Sequence, residues 1–262
     1  MGERWDVRRA GARNASHRVL MIPGGMCTTE FYADVMAEPA VAGLGMVAVT
    51  QPGFGRTEAP EDVSMEHYAR LLAHFAAEAG CDAVVGHSLG ANVALEMAAL
   101  GLFDGPLVLL SPTFSRGDEA RFLTVLDAVG RVPVLGGAAW TAMLGLMPRA
   151  MRRELPPQRA EALAAVMGGN DPVACRRIVR GYYAYLARYP SLAPRLCGAG
   201  VPAWVVRGDR DMIGLTDGER RDLQACPHVR MVTVADAGHL LLVEQPAAVA
   251  EIVAEAATAS VR

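Results

Sequence analysis

The chain has 262 residues, 52% of them hydrophobic and 20% charged, with a formal net charge of -3. That composition supports a sizeable core, excludes a disordered chain and offers no basic field for a nucleic-acid backbone. All 25 basic residues are arginine, so neither a lysine Schiff base nor a P-loop lysine is available. The N-terminal stretch MGERWDVRRAGARNASHR is polar and Arg-rich, with no apolar segment behind it. No run is long enough to cross a bilayer, so a cytoplasmic protein with no membrane partner is expected. Cys27, Cys81, Cys175, Cys197 and Cys226 are odd in number and widely scattered. They read as reduced thiols, neither a disulfide framework nor a zinc set.

In chain order, a poorly defined strand around Trp5–Arg8 precedes six short apolar runs. These are Arg18–Ile22, Met46–Thr50, Asp82–Gly86, Pro106–Leu110, Ala203–Arg207 and Val229–Val234. Runs of this length that are apolar throughout suit strands buried on both faces, and most lead into helical spacing. The expected fold is α/β: a mostly parallel sheet flanked by helices. Residues 115–197 break the alternation, with helical patterns cut by Pro133, Pro148, Pro156, Pro157, Pro172 and Pro190. Twelve arginines against six acids give this stretch a charge of +6. The expected organisation is a core of residues 1–114 and 198–262 with a helical lid inserted at 115–197, since ordinary connections are only a few residues long.

The most informative stretch is Val84-Val85-Gly86-His87-Ser88-Leu89-Gly90-Ala91-Asn92. It fits G-x-S-x-G between an apolar strand and a helix predicted over Asn92–Leu100. A nucleophile on so tight a turn adopts strained backbone angles, and the chain passes too close to itself for side chains at Gly86 and Gly90. The following helix aims its N-terminal dipole at developing negative charge.

From Val19 to about Ala257 the sequence resembles the α/β-hydrolase superfamily, serine-nucleophile branch. The resemblance rests on GHSLGA and on four further segments in order. LMIPGGM (20–26) matches an oxyanion-loop strand, with Pro23 where His is common. TQPGFGRT (50–57) matches a turn in which Thr50 replaces the usual Asp. WVVRGDRDMI (204–213) and ADAGHLLLVEQP (235–246) match the acid- and histidine-bearing segments. The resemblance implies Ser88 as nucleophile, His239 as its base and Asp211 as the acid that orients the imidazole, in the chain order Ser, Asp, His. Asp209 is the rival acid; the spacing from Gly208 favours Asp211. The oxyanion hole would use the backbone N–H of Leu89 and one from Gly25, with Met26 as the fallback.

No metal or cofactor is expected, because no His pair has ligand spacing beside a carboxylate. His67 and His74 read as surface or partly buried residues, His87 as a packing or hydrogen-bonding residue, and Cys27 as no second nucleophile. Trp140, Met143, Met147, Tyr182 and Leu240 are candidate substrate contacts for an apolar acyl pocket. The expected activity is hydrolysis of an ester or thioester of a small, largely apolar acyl substrate. The basic lid suits coenzyme A or an acyl carrier protein as the acyl donor. Lyase, cyclase or C–C bond hydrolase chemistry, or a hydrolase-derived ligand receptor, are the alternatives on the same fold.

Overall fold

Six apolar runs and one N-terminal segment pair into a seven-stranded sheet. The computed structural model describes residues 5–12, 14–119, 124–125, 127–128 and 135–259. Arg121, Arg131 and Pro133, counted above in the basic segment, lie outside them. The strands are β1 Val7–Gly11, β2 Arg18–Ile22, β3 Gly45–Val49, β4 Ala83–His87, β5 Leu107–Leu110, β6 Ala203–Gly208 and β7 Val229–Val234. Their order across the sheet is β1-β3-β2-β4-β5-β6-β7. Only β1 runs antiparallel, against β3, and each predicted strand shifts by a residue or two at most, save β1, which is displaced toward Gly11. Val19–Ile22 and Leu107, Leu109 and Leu110 are wholly buried, as expected for strands covered on both faces. β1 and β7 are the edges and stay partly exposed along most of their length.

The helices are α1 Ala33–Ala37, α2 Met65–Ala79, α3 Leu89–Ala99, α4 Leu135–Glu154, α5 Pro157–Gly168 and α6 Pro172–Leu186. They continue with α7 Ala193–Ala199, α8 Asp217–Ala225, α9 Leu241–Glu244 and α10 Pro246–Thr258. Local signals set their ends. Ser64 accepts a hydrogen bond from the His67 N–H at the start of α2, and Gly80 closes that helix at φ 65°.

Helices α4–α7 lie between β5 and β6, and no strand occurs there among the described residues. Pro148 does not cut its helix as the sequence suggested; α4 runs through it. Pro157 and Pro172 instead stand at helix starts, where the missing N–H costs nothing. This helical segment is tied to α3 through buried Glu96: Arg195 Nη2 lies 2.7 Å from Glu96 Oε1, and the Tyr185 hydroxyl donates to Glu96 Oε2 at 2.8 Å.

Two sequence expectations are corrected. Cys197 and Cys226 form a disulfide, with Cα atoms 5.7 Å apart, so only Cys27, Cys81 and Cys175 are free thiols. The pair is 29 residues apart in sequence, and only the return of the chain through β6 brings α7 beside the end of α8. Helix α3 begins at Leu89 rather than Asn92, because the residues after the turn are already helical.

Candidate active site

The strand order reverses around β2, with β3 on one side and β4 on the other. Such a switch point opens a crevice beyond the carboxyl ends of the strands, where ligands bind in open α/β sheets. The loop after β2, the turn after β4 and the loops after β6 and β7 all line one cavity there, of about 460 Å³.

Ser88 stands at the turn from β4 into α3 with φ 51° and ψ −120°, a region ordinary side chains avoid. The turn is possible because its neighbours lack side chains. A Cβ at Gly86 would collide with the Gly90 backbone, and one at Gly90 with the carbonyls of Ile22 and Pro23. That crossing presses β4 and α3 against the end of β2 and leaves the Ser88 hydroxyl facing the cavity.

Three side chains from distant parts of the chain meet there. Ser88 Oγ lies 3.1 Å from His239 Nε2, and His239 Nδ1 lies 3.1 Å from Asp211 Oδ1. Asp211 Oδ1 also accepts the Ile213 N–H at 3.0 Å, and the side chain is almost wholly buried. Burial alone would raise the Asp211 carboxyl. The hydrogen bond and charge of His239, with the Ser111 hydroxyl and the Ile213 N–H, outweigh it and bring the pKa down to about 2. Asp209, the rival acid, is turned elsewhere: it accepts the Ala237 N–H at 3.1 Å and faces Arg210. Hydroxyl, imidazole and carboxylate in this relation can pass a proton from oxygen to nitrogen and hold the charge that results.

Gly25, Met26 and Leu89 line the cavity beside Ser88. Met26 has φ 64°, so the loop after β2 bends sharply at this point. It is held by a residue the sequence did not mark: Asn170 donates to the Met26 carbonyl at 2.9 Å and accepts the Gly55 N–H at 2.8 Å. The Thr50 substitution noted above also finds its explanation here. The Thr50 hydroxyl donates to Asp6 Oδ2 at 2.5 Å, so the chain just before β1 supplies the carboxylate that position 50 lacks.

His87 is buried and its Nε2–H donates to the His239 carbonyl at 2.8 Å. Burial, and then the charge of His239, push its pKa down to about 3. It therefore stays neutral and braces the loop that carries His239. The unfolded chain binds a proton at this residue below pH ~6.5 while the native state does not, so stability falls as the solution is acidified. Urea unfolding between pH 6 and pH 4 should show His87 contributing a loss of about 1.4 kcal/mol per pH unit. His87→Gln, which keeps a donor but cannot titrate, should remove that contribution; parallel curves for the two proteins would count against it. Cys27 also lines the cavity, but burial pushes its thiol up to about 12, which leaves it protonated and unreactive.

Met147, Tyr182 and Leu240 line the cavity. Trp140 and Met143, the other two candidate contacts, do not: Trp140 is 1% exposed within the hydrophobic core and Met143 packs against it. Both share a helical stripe with Met147 and Met151 on α4. They lie one to two turns farther along, beyond the reach of the cavity.

The sequence model of the alpha/beta hydrolase family matches residues 19–252. The chain belongs to that family. No curated protein matches this alpha/beta hydrolase in sequence. Among solved structures it is similar to the enol-lactonase from Burkholderia xenovorans LB400, at TM-score 0.75 and 19% identity over 97% of this chain and 96% of that one. It is also similar to a thermophilic esterase from Thermogutta terrifontis, at TM-score 0.72 and 20% identity over 96% and 92% of the two chains. A third, an N-acyl homoserine lactonase mutant complexed with N-hexanoyl homoserine lactone, gives TM-score 0.73 and 18% identity over 97% and 93%. At these identities the likeness is one of fold.

Two further residues of the alpha/beta hydrolase, to which the sequence assigned no role, stand near the site. Ser111, just after β5 with φ 50°, stands within 3.5 Å of the His239 carbonyl. Glu119 lines the cavity wall between the strands and the helical segment. Neither lies in a recognisable motif, and their positions depend on contacts between distant segments. No group of three or more His, Cys, Asp or Glu residues suited to a metal occurs among the described residues. No described helix is long and apolar enough to cross a membrane.

Proposed function

We propose that the protein is a serine hydrolase that cleaves an ester or thioester of a small, largely apolar acyl substrate through a covalent acyl-Ser88 intermediate. The observation that carries this reading is the continuous chain from Ser88 through His239 to buried Asp211, 3.1 Å at each link. His239 Nε2 takes the hydroxyl proton as Ser88 Oγ bonds to the substrate carbonyl carbon. The resulting oxyanion is held by the Leu89 N–H and by one from Gly25 or Met26. The leaving group departs with the proton from His239, which then activates water to release the acid from Ser88. Asp211, ionised throughout the physiological range, stabilises the imidazolium.

Helices α4–α6 act in this reading as a lid, with Met147, Met151 and Met167 presenting adaptable apolar surface to the acyl chain. The test is a panel of p-nitrophenyl esters and acyl thioesters assayed beside Ser88→Ala. Multiple turnover that the variant loses supports the reading. Binding or single labelling without turnover favours a receptor, and products of bond cleavage without water incorporation favour a lyase.

The +6 helical segment supports a thioester-linked acyl donor bearing phosphate, coenzyme A or an acyl carrier protein. Arg176, Arg177 and Arg180 border a concavity of about 300 Å³ between α6 and the start of α4. Arg177 donates to the Pro60 and Glu61 carbonyls, whereas Arg176 and Arg180 form no ion pair among the described residues. Raising salt from low to about 0.3 M should lower kcat/KM for acyl-coenzyme A by roughly 5- to 10-fold and leave neutral p-nitrophenyl esters unchanged. Equal salt responses for both substrates would remove the charged donor from the account.

A further inference from the structure

The cavity beside Ser88 contains a buried acid that the proposed reaction does not use. Glu119 follows the short turn Arg116–Asp118 after β5 and is only 8% exposed, yet it lines the cavity. Its Oε1 accepts two hydrogen bonds, from the Thr113 hydroxyl at 2.6 Å and the Tyr182 hydroxyl at 2.8 Å. Both donors are themselves fixed. The Thr113 backbone exchanges hydrogen bonds with the Asn92 amide at 2.7 and 3.2 Å, which ties it to α3 just beyond Ser88. The Tyr182 phenol stays protonated, because burial, and then the charge of Glu119, raise its pKa well above the ordinary value.

Glu119 Oε2, by contrast, receives no hydrogen bond from the described residues. No arginine among them pairs with the carboxyl either. The other charged residues on the cavity wall are differently engaged. Arg210 is mostly exposed and faces Asp209, and Glu244 accepts the Gly238 N–H at 2.9 Å. An acceptor that faces the cavity is served by water while the cavity is empty, and a substrate that displaces this water must supply a donor in its place.

We propose that Glu119 is a specificity residue that selects substrates carrying a hydrogen-bond donor, a hydroxyl or ammonium group, on the chain that enters the pocket. Thr113 and Tyr182 hold one carboxyl oxygen, and Oε2 receives the substrate donor. A plain hydrocarbon chain leaves Oε2 desolvated and unpaired, and a carboxylate-bearing chain is repelled. The discrimination is large for so small a chemical difference, because a site built to bond a polar group loses that bond entirely with the analogue that lacks it. This inference deepens the hydrolase reading and rests on it for the identity of the reacting bond.

The experiment compares methyl hexanoate with its 3-hydroxy, 6-hydroxy and 6-amino derivatives and with monomethyl adipate, following acid release in a pH-stat. For the wild type, kcat/KM of the best donor-bearing ester should exceed that of methyl hexanoate by roughly 10- to 100-fold, with monomethyl adipate poorest. Glu119→Leu should bring the ratio to about one. Glu119→Gln, closer in shape, should retain a preference for hydroxyl but lose that for ammonium. The same ratios should appear in dissociation constants for binding to Ser88→Ala, measured by isothermal titration. A ratio unchanged in Glu119→Leu, or no donor preference in the wild type, overturns the role of Glu119 and leaves the hydrolase reading standing. A Glu119-dependent preference in binding, with neither these esters nor the matching acyl thioesters hydrolysed, keeps Glu119 and overturns the hydrolase reading.

Discussion

Ser88→Ala should lower turnover of any ester the protein cleaves by on the order of 10⁴- to 10⁶-fold. The expected loss is this large because the hydroxyl is the bond-forming atom, and no neighbouring group replaces it. Cys27, the nearest thiol on the cavity wall, is held protonated by burial, and Ser111 is positioned against the His239 carbonyl. The residual rate measures what the oxyanion loop and substrate binding achieve without a nucleophile. Steady-state rates on the best ester from the panel, with circular dichroism to verify folding, provide the check. A loss below about 10-fold would assign the chemistry to another group.

Asp211→Asn should lower kcat by about 10⁴-fold, whereas Asp209→Asn should change it by no more than a few-fold. The asymmetry follows from geometry. Asp211 Oδ1 lies 3.1 Å from His239 Nδ1, and an amide there favours the wrong imidazole tautomer and withdraws the charge that stabilises the imidazolium. Asp209 holds the backbone of the loop after β7, accepting the Ala237 N–H, and does not reach His239. The pH profile carries the same information. With the Asp211 carboxyl lowered to about 2, it remains ionised across the assay range, so the acid limb of kcat/KM should not shift in Asp209→Asn. Similar losses in both variants would mean that the carboxylate acts through loop structure rather than through His239.

The strands and the tight turn at Ser88 were legible because each is dictated locally. An apolar run of five residues between breakers has few options, and Gly86 and Gly90 are required by the collision of any Cβ with neighbouring backbone. The spacing from Gly208 favours Asp211 over Asp209, two residues apart, and in the structure it is Asp211 that lies 3.1 Å from His239. What stayed hidden depends on distant segments meeting. Nothing around Asp6 marks it as the partner of Thr50, and Asn170 reaches the Met26 carbonyl from 144 residues away. Glu119 reads as one more surface acid until Tyr182 and Thr113 close around it. The disulfide between Cys197 and Cys226 was missed for the same reason.

Trp140 and Met143 show the converse limit. The clustering of large apolar residues in one helical region does not tell those that reach the cavity, Met147 and Met151, from those that pack into the core. Pro148 shows another, since a proline that ends a helix in isolation was accommodated within α4, where its ring packs near Gly168.

Activation of Ser88 by His239 is tested most directly by labelling with a fluorophosphonate followed by peptide mass spectrometry, run on the wild type and on His239→Ala. One adduct is expected, on Ser88, forming at least 10³-fold more slowly when the imidazole is removed. Labelling of Ser88 at equal rates in both proteins, or an adduct elsewhere with Ser88 unmodified, would contradict it.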